Sequence, residues 1–108
     1  MVPGETDTLT VRARNTGTAT WRNDGAYPLK LANTSPQNRT STFYYNTWNS
    51  PSRPALLQET SVTPGNIGTF VFTIQASQKG IFQERMSLVA ENRAWLNDPG
   101  MYFYLDVR

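Results

Sequence analysis

Neither cysteine nor histidine occurs in the chain, and those two absences remove much familiar chemistry. No thiol nucleophile, Ser-His-Asp triad, thiolate zinc site or imidazole base can be assembled. No disulfide can form, which suits a cytosolic protein and many exported bacterial domains equally well. Charge is sparse too: charged residues make up 17% of the chain and the net charge is only +2. That excess is too small for an electrostatic nucleic-acid binder, and no basic run occurs. No apolar run approaches the length of a membrane span. No signal peptide is recognisable, and Met1-Val2-Pro3-Gly4 runs straight into a turn and a strand. The expectation is one domain of a larger protein, so the missing signal says nothing about location.

Aromatics are what the chain has in abundance: Trp21, Trp48, Trp95, five Tyr and five Phe. Thr, Ser and Asn are also frequent. This composition suits β-sheet joined by polar loops, not helix or disorder. At 108 residues a single domain can bury roughly two thirds of its unfolded surface, enough for a core without staples.

Thr6 to Asn15 alternates, with Leu9, Val11 and Ala13 on one face and Thr8, Thr10, Arg12 and Arg14 on the other, the pattern of a half-buried strand. Asn15-Thr16-Gly17-Thr18-Ala19-Thr20-Trp21 reads as a corner. Gly17 accepts positive φ there, Asn15 bonds its own backbone, and the return strand opens by planting Trp21 in the core. Arg22-Asn23-Asp24-Gly25 is a hairpin signal, and Tyr27, Leu29 and Leu31 alternate after it. Ala32 to Arg39 is a loop. Thr42 to Trp48 is an aromatic candidate strand, and Pro51 and Pro54 exclude a central strand beyond it.

Val62-Thr63-Pro64-Gly65 turns into a strand with Phe70, Phe72 and Ile74 inward. Gly80 turns into a strand from Ile81 to Ala90. Asp98-Pro99-Gly100 turns into a last strand from Met101 to Val107. The Pro3-Gly4 and Pro64-Gly65 entries echo each other, as Pro-Gly, three residues, Thr, apolar, any, apolar. With no further copy, they predict two sandwich strands entered by the same turn chemistry. The whole predicts an all-β chain: an immunoglobulin-like β-sandwich of about seven to eight antiparallel strands, without a disulfide, spanning residues 1–108 as one domain. Trp21 is the expected pin between its sheets.

Several segments together resemble the four-tryptophan (FW) Ig-like family, named for a domain of an autophagy cargo receptor and common in bacteria. They are Pro3-Gly4, Asn15-Thr16-Gly17-Thr18 leading to Trp21, Val62-Thr63-Pro64-Gly65, Gly80-Ile81-Phe82, Met86 to Glu91, Ala94 to Asp98 and the Pro99-Gly100 turn. Trp48 to Ala55 is similar to the bacterial branch, whose members are accessory modules of secreted cell-wall proteins. This chain has three Trp, not four, with Phe82 or Met86 as candidates for the remaining aromatic position. The resemblance implies a non-catalytic accessory module that spaces, orients or docks neighbouring domains of an exported bacterial cell-wall or surface protein. It places the domain outside the cell or in the cell envelope. The alternative is a specific protein-interaction domain of a cytosolic adaptor, recognising a ligand or cargo.

Candidate site residues follow from the same reading. Tyr44, Tyr45 and Trp48 beside Arg53 form a loop-like aromatic segment of the kind that binds glycan or protein. Its competing reading is a Trp48 that folds back over a sheet edge guarded by Pro51 and Pro54. Trp95 closes one end of the sandwich. Tyr102 and Tyr104 line the outer face of the last strand, as a docking face or as ordinary cross-strand pairs.

Glu84 alternates with Phe82, Met86 and Leu88, so it predicts a buried carboxylate that needs a partner, with Arg12, Arg14 and Arg53 as candidates. A Lys–Asn crosslink using Glu84 with Lys30 or Lys79 is the covalent reading of the same residue. Glu84, Glu91 and Asp98 are the acids clustered late in the chain. Asn33-Thr34-Ser35 and Asn38-Arg39-Thr40 match the glycosylation sequon, a frequent chance match in such loops. No catalytic residue, metal, cofactor or nucleic-acid partner is expected. The expected partners are neighbouring domains, cell-wall glycan or another protein, and the expected state is a monomer.

Overall fold

The structure, a computed structural model, describes residues 1–34, 36–96 and 101–108. The expected turn at Asp98-Pro99-Gly100 lies outside them. Among the described residues every paired strand is antiparallel and no helix occurs. Five strands are long: β1 (Thr6–Arg14), β3 (Leu29–Asn33), β6 (Ile67–Gln75), β7 (Gly80–Ala90) and β9 (Met101–Val107). Four are two-residue pieces: β2 (Trp21–Arg22), β4 (Ala55–Leu56), β5 (Ser61–Val62) and β8 (Ala94–Trp95).

β1 pairs with β6, and β2 with β5. β7 is the spine of the third sheet, with β3 against its second half and β9 against its first, while β8 joins at its end. Inward residues of β6 (Phe70, Phe72, Ile74), β3 (Leu29, Leu31) and β7 (Met86, Leu88) meet in one buried cluster. The architecture is all-β and compatible with a β-sandwich.

The Pro-Gly echo has a geometric cause. Gly4 and Gly65 sit at φ of 88° and 90°, a region open to glycine at little cost. The strands they open pair with each other, and the two ends of the ribbon match. Gly4 N–H donates to Ala76 O at 2.8 Å and Gly65 N–H to Asn15 O at 2.7 Å. Ala76 N–H returns to Glu5 O and Asn15 N–H to Asn66 O. The repeat is one locking device used at both ends of a two-stranded ribbon.

Two turn expectations are corrected. Gly17 is not among the positive-φ glycines; the corner is made by the Asn15 side chain, whose Oδ1 accepts from Gly17 N–H at 3.1 Å. Its Nδ2 donates to Ala19 O at 2.8 Å and Val62 O at 3.0 Å, which ties the corner to β5. Gly25 does take positive φ, at 79°, but the strands on either side lie in different sheets. β2 pairs with β5 and β3 with β7, so no hairpin forms.

The Thr42 to Trp48 segment is also not a strand. It plugs the core instead. Phe43 packs edge-on to Phe82, with centroids 5.3 Å apart, and Trp48 edge-on to Phe72, at 6.1 Å. The second edge of β6 is covered by loop groups: Gln75 N–H donates to Phe43 O, and the Trp48 indole N–H to Thr73 O. Closer to the start of β6, Gln58 N–H donates to Thr69 O. An open edge is thereby closed without a further strand.

Glu59 completes that edge by accepting from Thr69 N–H at 2.8 Å and from the Thr69 hydroxyl at 2.9 Å. Burial pushes its carboxyl up, but the two Thr69 donors and the Arg12 guanidinium together hold it below its usual value of 4.5. A carboxyl depressed by folding stabilises the fold above its unfolded pKa, and that contribution is lost as pH falls through the folded pKa. Urea midpoints of wild type and Glu59→Gln are therefore expected to differ most near neutral pH and to converge below about pH 4.5. A difference that stays constant down to about pH 3 defeats this account.

Candidate functional site

The residues proposed to form a binding segment are not brought together as a surface. Trp48 is buried, at 5% exposure, because its indole fills the space between the loop and β6. It cannot present a face to a ligand. Tyr44 stacks edge-on to Trp48 at 5.6 Å and keeps its outer side exposed. Tyr45 is half-buried against the core. Arg53 points elsewhere: Nε donates to Glu91 Oε1 at 2.6 Å, and the guanidinium lies 5.5 Å from the centroid of the Trp95 ring.

Trp21 is half-buried rather than the fully buried pin expected of it. Its ring rests on Gly68, a position opposite Ala13 in the β1–β6 ribbon. A Cβ at Gly68 would stand 2.7 Å from Leu57 Cδ1 and 3.2 Å from the indole, so a side chain there would clash with Leu57 and crowd the ring. Trp95 pairs with Val89 in register. Val89 is buried yet stands apart from the central cluster. Trp95, backed by Arg53, is its cover on the outer face of the sheet.

Trp21, Tyr27 and Trp95 converge where neither periodicity nor motif indicated a site. They line a cleft of about 800 Å³ at one end of the molecule, within the range of ligand pockets. Its walls come from two regions distant in sequence: the stretch from the Asn15–Trp21 corner through the Asp24–Tyr27 turn, and β8 with its approach. Leu29 and Leu88 lie at its inner limit, where the core reaches it. Arg53 lines a shallow neighbouring depression and not this cleft, so its guanidinium covers the Trp95 ring from the far side.

The charged groups are one-sided. Among the described residues the lining holds Arg14, Arg22 and Arg93 against Asp24 alone. Arg22 pairs with Asp24 at 3.4 Å, both exposed. Arg14 donates to Gly65 O at 2.6 Å, and Arg93 lies over the Tyr27 ring at 5.7 Å. Neither has a carboxylate partner among the described residues. The sequence signals for this cleft are the corner leading to Trp21 and the reading of Trp95 as the residue that closes one end of the sandwich; Tyr27 and Arg93 carry no site signal.

Glu84 is buried at 4% exposure, and its partner is not Arg12, Arg14 or Arg53. Oε2 accepts from Arg39 Nη2 and from Ser41 Oγ, both at 3.1 Å. Arg39 also donates to Thr34 O and Arg85 O, and Ser41 Oγ accepts from Phe43 N–H. The network pins the start of the core-plugging loop to β7.

Lys30 pairs with the outward Val89 position and Lys79 is exposed, so neither amine faces Glu84 and the crosslink geometry is missing. Glu91 is taken by Arg53, and Asp98 lies outside the described residues. Asn33 is buried, with Nδ2 donating to Arg39 O and Pro51 O, so it offers no accessible amide; Ser35 of that sequon is not described.

A second surface lies on the outer face of β7 and β9. Ile81, Tyr102 and Tyr104 are exposed there. The tyrosines meet edge-on at 6.0 Å, and Arg85 lies 5.3 Å from the Tyr102 centroid.

Comparison with protein-family models, with curated proteins and with solved structures gave no match.

Proposed function

We propose that this chain is a non-catalytic accessory module that receives a ligand in the cleft between Trp21, Tyr27 and Trp95. The observation that carries this reading is the cleft itself, a space of ligand size with Trp21, Tyr27 and Trp95 in its lining. Among the described residues its polar lining is guanidinium, hydroxyl, amide and the single carboxylate of Asp24, and these hold no residue pair of the kind that shuttles protons in acyl or glycosyl transfer. Within this reading the sandwich is immunoglobulin-like and similar to the FW family. The module belongs to an exported bacterial cell-wall or surface protein. There it spaces or orients its neighbours while the cleft supplies affinity.

Retention on purified bacterial cell wall, run beside a panel of immobilised proteins, tests the reading. Tyr27 is 49% exposed, so Tyr27→Ala spares the fold. It is expected to weaken retention about tenfold, close to the worth of one aromatic contact, and Trp95→Ala more. Unchanged retention in both variants, with the circular dichroism of the wild type, overturns it.

A second reading, docking of a neighbouring domain or of a protein ligand as in an adaptor, draws on the Ile81, Tyr102 and Tyr104 surface. Exposed aromatics of this kind are enriched where proteins meet. Tyr102→Ala with Tyr104→Ala separates the two readings, since it leaves the cleft intact.

A further inference from the structure

We infer that the cleft takes a carboxylated pyranose, an acidic oligosaccharide; this rests on the ligand-cleft reading above. Three properties of the lining bear on the ligand, and each disfavours a different alternative.

The first property is charge. Arg14 and Arg93 line the cleft with no carboxylate partner among the described residues, and Arg22 shares the one carboxylate, Asp24. Guanidinium presents paired N–H donors that match a carboxylate in the plane of both groups. A neutral sugar leaves these donors to water.

The second is the aromatic surface. Aromatic rings carry negative faces, which attract the positively polarised C–H groups on the flat side of a pyranose. Trp21 is seated on Gly68 and Trp95 is backed by Arg53, so both rings are held before a ligand arrives and little ordering cost remains. A polyol phosphate carries charge but has no ring to stack.

The third is the rim. Thr16, Thr18 and Thr20 line the cleft and are exposed, and a threonine hydroxyl both donates and accepts. A hydroxyl-rich ligand uses both capacities. A nucleotide stacks and carries charge but offers fewer hydroxyls, so nucleic acid enters as an arm of the test.

The indole N–H signals of Trp21, Trp48 and Trp95 in a ¹H–¹⁵N spectrum make the test internal. Trp48 is buried and hydrogen-bonded to Thr73 O, so it reports fold and not ligand. The probes are tetragalacturonate, a hyaluronan tetrasaccharide, the methyl ester of the tetragalacturonate and a thymidine tetranucleotide.

At least one of the two acids is expected to shift Trp21 and Trp95 but not Trp48. It should bind about tenfold more tightly than the uncharged ester, and its affinity should fall with added salt, as exposed ion pairs do. Arg93→Ala, at an exposed position, is expected to abolish the preference for acid over ester. Arg93→Lys should keep part of it.

Equal affinity for acid and ester overturns the inference, and so does a stronger response to the tetranucleotide. If neither acid shifts Trp21 or Trp95 while Tyr27→Ala still lowers retention in the pull-down, the acidic-sugar inference fails alone. If Tyr27→Ala and Trp95→Ala also leave retention unchanged, the cleft reading fails with it.

Discussion

Trp48→Ala is expected to lower the unfolding free energy by about 3–5 kcal/mol, the usual cost of truncating a buried tryptophan. A small domain has about 5–15 kcal/mol in total, so the variant stands close to unfolding at room temperature. Three losses add up at this one position. The edge-on contacts with Tyr44 and Phe72 disappear, a cavity opens between loop and sheet, and Thr73 O loses the indole donor that covers the edge of β6. Trp48→Phe separates them, because it keeps most of the packing and removes the N–H. Its expected cost is about 1–2 kcal/mol, that of leaving a buried acceptor without its partner. Urea denaturation at neutral pH checks both. A Trp48→Ala variant within about 1 kcal/mol of wild type is incompatible with the core position described.

Arg39→Ala is expected to be the second most damaging single change. It removes the cation from a carboxylate that is 4% exposed and leaves Ser41 as the remaining side-chain donor to Glu84. Breaking one side of a buried ion pair costs about 3–5 kcal/mol, because the other charge stays behind unpaired. Glu84→Gln is expected to cost less. The amide oxygen still accepts from Ser41, and the freed Arg39, whose side chain is 23% exposed, reaches water. The predicted order, Arg39→Ala worse than Glu84→Gln, is specific to this geometry. Equal costs, or the reverse order, mean that Glu84 is not held as described.

The long strands were legible. The alternation of Leu9, Val11 and Ala13, of Phe70, Phe72 and Ile74, and of Phe103, Leu105 and Val107 gives the observed inward faces. Two-residue periodicity is a local property, so it survives in the sequence. The rule-breaking Glu84 was legible as a residue in need of a partner. The partner was not, because Arg39 lies 45 positions away in a loop without periodicity. The tryptophans divide. Trp21 follows a clean strand signal that predicts a buried pin, and it is half-buried; Trp48, next to a Pro-rich stretch, allows a binding surface or a fold-back over a sheet edge, and the fold-back is what is observed. The loop folds inward and the short β2 strand stops at the end of the core.

What the sequence by itself determined is the class of chain: all-β, antiparallel, without thiol or imidazole chemistry, with its turns at Gly4, Gly25, Gly65 and Gly80. These follow from residue type and short-range pattern. What only the tertiary structure decided is which strands pair, which arginine neutralises Glu84, and which aromatics are left facing solvent. Asp24-Gly25 joins two sheets instead of closing a hairpin, and that places Tyr27 in the lining of the same cleft as Trp21 and Trp95. The cleft is a product of long-range packing, since its lining is anchored by contacts to distant segments: Asn15 to Val62, Trp21 to Gly68, Tyr27 to Arg93, Trp95 to Arg53. Local pattern records which way a side chain points along its own strand. It carries no record of what the rest of the chain brings opposite.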